Sequence, residues 1–167
     1  MVELDGAFMS EKTKMIAYCG LYCAECPSHL GIIADLARDL RKELRKYRYD
    51  VLAASLPEMT SFFDYFKHYP EAYKVLGGLV RMRCKHTCKG GGGPPFCKMR
   101  KCCQKKGFEG CWECDEVKVC PHLDFLDPTH GEAHRKNLNI LKRKGVDGFL
   151  AGTKYWYTKP KAKKEPE

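Results

Sequence analysis

Apolar residues recur through the first half of the chain at helical spacing. From Ser28 onward, Leu30, Ile33, Leu36, Ala37, Leu40, Leu44 and Tyr47 return every three or four positions, and the charges of "RDLRKELRKYR" fill the other face. This predicts an amphipathic helix to about residue 48, with its apolar stripe on a core and its basic face in water. Ser55 and Glu58 form a capping-box pattern with Pro57 in the first turn, which predicts a second helix through "SFFDYFKHY". Phe62, Phe63, Tyr65 and Phe66 are expected to be core, packed against the first helix. Pro70 restarts the chain, and "EAYKVLGGLVRM" predicts a third helix weakened by Gly77 and Gly78. Downstream, Thr129 and Glu132 are expected to cap a last helix, "GEAHRKNLNILKRKG", which Gly145 stops.

Between these helices the pattern fails. Residues 84–120 offer little beyond Cys, Gly, Pro and Lys, so apolar burial cannot hold them together. "KGGGGPPF" reads as a flexible turn into Cys97. Its four glycines are only a weak phosphate-loop signal, because no Lys-Ser/Thr pair follows and no strand precedes. From Cys97 to Cys120 short turns are expected, with a single helical turn near "KMRKCCQKKG". Something other than packing must shape this stretch, and its cysteines are the means at hand.

The chain has 11 cysteines in 167 residues, in two clusters with none in the helical stretch between. The opening "MVELDGAFMSEKTK" has no apolar signal region, and no apolar run reaches membrane-spanning length. The expectation is therefore a cytoplasmic chain away from the membrane. There thiols stay reduced, and clustered cysteines mean metal rather than disulfides. Cys23/Cys26 and Cys111/Cys114 have the C-x2-C spacing whose turn aims both sulfurs at one ion, and Cys84/Cys88 is a longer variant. With Cys19, Cys97, Cys102 and Cys120 they make ten candidate metal ligands. Cys103, beside Cys102, is expected to be a small buried hydrophobe. His86 and His122 are expected to lie at the surface or behind the ligands, because thiols are already plentiful.

Zinc and an iron–sulfur cluster both take four cysteines per site, so spacing leaves the ion open; zinc is preferred. Cys19, Cys23 and Cys26 are expected to hold a structural ion with a fourth ligand from the distal cluster. Their C-x3-C-x2-C spacing is also that of radical-SAM enzymes. Against that reading, Glu25 stands where those enzymes usually carry an aromatic, and the 57 residues between Cys26 and Cys84 read as helix, not βα units. No Ser-His-Asp constellation or paired carboxylates stand out, so an enzyme is not expected.

Net charge is +9, and residues 81–106 carry nine Lys or Arg and no acid. Such a stretch can bind nucleic acid, with Phe96 and Trp112 as stacking surfaces. Metal-bound thiolates need the same cations as neutralising partners, and that use is weighted higher. An otherwise unknown macromolecular partner is expected at these basic loops.

"AYCGLYCAECP" followed by "GGGGPPFCKMRKCCQKKGFEGCWECDEVKVC" resembles the cysteine-rich family catalogued as domain of unknown function 3795, found in bacteria and archaea. The ten candidate ligands fall on its cysteine positions. Val119 departs from it, standing where the family has Pro before the last Cys. The resemblance spans roughly residues 16–125 and implies metal binding, with no known activity. The expected organisation is an N-terminal extension (1–15) and one mainly α domain (16–150). Within that domain lie a helical insert (28–83), metal-stapled loops (84–120) and a C-terminal helix (131–144). A basic tail (151–167) follows, its "KPKAKKEPE" end disordered and its "KYWY" set to pack on the core or meet a partner.

Overall fold

A computed structural model describes residues 13–159; the first twelve residues of the extension and the tail from 160 lie outside the described residues. The fold is mainly α, and among the described residues there is no strand beyond two isolated bridges. No described helix is long and apolar enough to cross a membrane. The chain divides into two units, one from Pro27–Cys84 and the other from residues 1–26 and 85–167.

In the Pro27–Cys84 unit, Gly31 at φ +78° splits the first predicted helix into Pro27–Leu30 and Ile32–Lys46. The positive φ is what requires glycine there, since the Arg83 guanidinium that a Cβ would meet at 2.5 Å is the movable end of a long side chain. The helix Ile32–Lys46 packs on Tyr69–Arg81, and Ala34 and Ala37 are the side chains it buries. Arg41 lies 4.4 Å over the Tyr73 ring, and Arg45 Nη1 donates to the Tyr73 hydroxyl at 2.9 Å. The predicted apolar stripe is not core: Leu36 is 64% and Leu40 49% exposed. Small residues let the two helices approach closely, and the larger ones one turn away are left outside that contact.

Two further expectations are corrected here. Ser55 and Glu58 open no helix; they lie inside Tyr49–Met59, where Ser55 Oγ donates back to the Leu52 carbonyl at 3.0 Å. Pro57 is tolerated in its final turns. The cap is Thr60, whose Oγ1 accepts from Phe62 N–H at 3.4 Å and starts a 3-10 helix, Ser61–His68. Its aromatic rings do not fill a core against the first helix. They pack on one another, Phe62–Phe63 edge-on at 5.1 Å and Tyr65–Phe66 tilted at 4.8 Å, beside Tyr49–Met59.

The other unit has a true core of Ile16, Leu123, Leu138, Leu141 and Phe149, joined by Cys19, Cys103, Cys111 and Trp112. Its long helix, Ala133–Ala151, starts later than predicted, because Thr129 belongs to a short helix, Asp127–His130, that Gly131 ends. Gly145 does break it, at φ +69° and ψ −176°. The helix then resumes to Ala151, bringing Phe149 into the core edge-on to Tyr22 at 6.2 Å.

The "KYWY" segment packs back. Asn137, fully buried, donates to the Tyr155 carbonyl at 2.8 Å and accepts from its N–H at 3.0 Å. The His130 imidazole Nδ1 donates to the Trp156 carbonyl at 2.9 Å. His134 is fully buried beside Asp127, 3.4 Å away, and burial holds its imidazole down to about 4.

Candidate metal centre

The first cysteines sit on a tight hairpin. Ala17 N–H donates to the Leu21 carbonyl at 2.8 Å and Gly20 N–H to the Ala17 carbonyl at 2.9 Å, which places Cys19 at the tip. Gly20 has φ +82°, and a Cβ there would sit 3.0 Å from Leu138, so the "CGL" turn requires its glycine. Burial pushes the Cys19 thiol up to about 12; a backbone hydrogen bond from Leu21 opposes this, and charge at Cys88 and Cys97 adds to it. Left alone this thiol stays protonated, so a cation must displace the proton for the sulfur to act as a ligand. Cys23 is buried in the single 3-10 turn Cys23–Glu25, and Cys26 N–H donates to its carbonyl at 3.1 Å.

Cys111 N–H donates to the Tyr18 carbonyl at 2.8 Å, which ties the hairpin to the distal cluster. Lys89 clamps the same junction, its ammonium 5.9 Å from the Tyr18 ring and 5.1 Å from that of Trp112. Trp112 is therefore buried and unavailable as a stacking surface, contrary to expectation, while Phe96 is exposed.

Cys97 caps a nine-residue helix, Lys98–Lys106, longer than the predicted single turn. Its Sγ accepts from Arg100 N–H at 3.5 Å, and Gly107 at φ +69° ends the helix. The Arg100 guanidinium reaches back to Cys88 Sγ at 3.8 Å and to the Gly92 carbonyl.

On the core side of this helix lies a small cavity of about 20 Å³. Five sulfurs line it, from Cys102, Cys103, Cys111, Cys114 and Cys120, together with His122; Met99, Phe108 and Val117 wall it off. The "CWEC" stretch is a 3-10 turn, Cys111–Glu113, closed by Cys114 N–H to the Cys111 carbonyl at 3.2 Å. Cys103 and Cys111 stand Sγ to Sγ at 3.6 Å. That is close to the edge of a tetrahedral zinc–thiolate site, about 3.8 Å for bonds of about 2.3 Å. The hydrogen bond between them raises the Cys111 thiol, burial adds to that, and the same bond lowers Cys103. Lys106 Nζ, 3.9 Å from Cys114 Sγ, supplies positive charge at the rim. No disulfide joins any two described cysteines.

Cys102, Cys103, Cys111, Cys114 and Cys120 thus share one cavity, while Cys19 lies in the core and Cys88 and Cys97 pack against it. Among the described residues no three His, Cys, Asp or Glu side chains stand in finished metal-ligand geometry. Cys84 belongs to the other unit, its N–H donating to the Ser28 carbonyl at 2.9 Å. His86 is exposed. Cys103 is buried as expected, at 2% exposure, and it also lines the cavity. Cys102 and Cys103, neighbours on the helix, both reach the cavity wall.

No curated protein and no solved structure matches the chain. A family model does, over residues 15–125, a span that holds all the cysteines. On that match the chain belongs to the family described as protein of unknown function (DUF3795).

Proposed function

We propose that this protein is a cysteine-rich metal-binding module, with zinc preferred, whose segment 84–120 is shaped by sulfur–metal bonds. Five sulfurs lining one small cavity, in a stretch with little apolar material, carry the reading. The donor set fits: thiolates are soft ligands suited to zinc or an iron–sulfur cluster. The 3.6 Å separation of Cys103 and Cys111 suits two thiolates on one metal atom, zinc or a single iron of a two-iron cluster alike. Lys106 and Arg100 face sulfurs, which supports local neutralisation as the use of the basic stretch. The role in the cell is then structural or one of interaction, with a macromolecular partner at the remaining exposed basic side chains.

The test is elemental analysis with an optical spectrum on protein purified without air. Colourless protein with bound zinc is expected. A broad absorbance near 400 nm, about where cluster charge-transfer bands lie, would move the assignment to an iron–sulfur protein in electron transfer or support of an anaerobic enzyme. Protein containing neither metal would remove the reading altogether.

A further inference from the structure

We infer that the helix Lys98–Lys106 is a docking face for single-stranded nucleic acid, with Lys98, Lys101 and Lys105 on the phosphates and Phe96 stacked on a base. This names the macromolecular partner, and it rests on the reading above only where Arg100 and Lys106 are assigned to sulfur.

The fold sorts the cations of 81–106 by what they meet. Arg83 bonds Asp35, Lys89 lies against the rings of Tyr18 and Trp112, Arg100 reaches Cys88 and Gly92, and Lys106 reaches Cys114. Lys98, Lys101 and Lys105 are exposed, and among the described residues no acid pairs with them. At about 100° per residue the three fall within about 60° of one helix face. That face is turned away from the buried Met99 and Cys103, and Arg100 and Lys106 lie off it. The stripe is about 10 Å long, and the long stems of its lysines can follow a flexible phosphate backbone.

Folding alone does not account for this stripe. The first turn of the helix holds Lys98 and Arg100 and no acid, so its cations oppose the positive end of the helix dipole. Arg100 is answered by the Cys88 sulfur at 3.8 Å; Lys98 is not answered. Lys98 and Lys101, and Lys101 and Lys105, are also like charges three and four positions apart, which repel along the face. A polyanion laid on the face turns both costs into attraction and releases its own counterions. Phe96 decides which polyanion. It is 64% exposed two positions before Lys98, and Pro94 and Pro95 stiffen the chain that presents it. An exposed ring next to a cationic stripe suits a single strand, whose bases stack on the ring while its phosphates meet the lysines.

The experiment follows the fluorescence anisotropy of a labelled single strand of about twelve nucleotides as full-length protein, purified without air, is added. Three phosphate contacts give a log–log salt slope of about −2, so wild-type affinity should fall about 20-fold between about 50 and about 200 mM salt. Lys98→Gln, Lys101→Gln and Lys105→Gln together should remove most of that slope. The same loss of charge at the exposed Lys42, Lys74 and Lys144 should leave it. Phe96→Ala should weaken binding about tenfold with the slope unchanged. Equal effects of the two triple variants, no binding at about 50 mM salt, or a preference for duplex, acidic peptide or anionic vesicles overturns the inference. Zinc-loaded protein that ignores the single strand overturns it and leaves the metal reading standing. Protein that purifies without metal yet binds with the predicted slope does the reverse.

Discussion

Ile16, Leu123, Leu138 and Phe149 are shut from solvent in the unit formed by residues 1–26 and 85–167, whereas in Pro27–Cys84 burial falls to Gly31, Ala34, Ala37 and Ala53. The helical unit looked the more hydrophobic from its periodicity, and the cysteine-rich unit the less. The fold inverts this. Periodicity tells which face of a helix is apolar, but not what covers it, and in Ile32–Lys46 the alanines do the packing. In the other unit a modest set of large side chains closes a core, and nine described cysteines, from Cys19 to Cys120, lie in it, against it or at a cavity wall. The two regions should therefore fail differently, and each can be broken separately.

The largest difference should come from metal removal. Structural zinc contributes on the order of 10 kcal/mol of folding free energy per site. Chelation is expected to expose 84–120 to proteolysis while Pro27–Cys84 keeps its helical circular-dichroism signal. Fragments that map first to Pro27–Cys84 would reverse the comparison.

Truncation comes next. Phe149→Ala should cost about 3–5 kcal/mol in denaturant unfolding, because it empties a fully buried site against Tyr22. Leu36→Ala, on the exposed stripe, should stay within about 0.5 kcal/mol. Equal costs would mean that the stripe is covered in solution.

Acid gives a somewhat smaller effect. Burial, then the charge on Arg135 and His130, holds His134 down, against the opposite pull of Asp127 and Asp124. The folded value, about 4, lies below the ordinary 6.5. As pH falls the unfolded chain takes up the proton first, so this contribution is whole above about 6.5 and is lost on the way to about 4. It amounts to about 3 kcal/mol. His134→Gln should flatten that slope in unfolding measured with and without zinc, which separates it from acid release of metal. Smallest is Asn137→Ala, expected to cost about 1–3 kcal/mol by orphaning the Tyr155 backbone groups.

How much of this was legible follows from the kind of signal each feature leaves. Helices with a clear stripe or a proline restart, such as Ile32–Lys46 and Tyr69–Arg81, could be read directly. Tyr49–Met59 could not, because "YDVLAASLPEM" has no single apolar face and the capping pattern inside it was a better local match than the real cap at Thr60. The burial of His134 and Asn137 left no signal in the sequence, and Asn137 finds its partner only in the returning chain at Tyr155. The number and spacing of the cysteines are what raise the metal reading. Their grouping depends on a hairpin, a glycine loop and one helix meeting in space, which spacing does not encode.

X-ray absorption at the metal edge of air-free protein tests the central claim most directly. It should find a first shell of four sulfurs at about 2.3 Å. A shell of oxygen and nitrogen at about 2.0–2.2 Å would contradict it, as would metal-free protein in which 84–120 resists proteolysis as well as the native chain does.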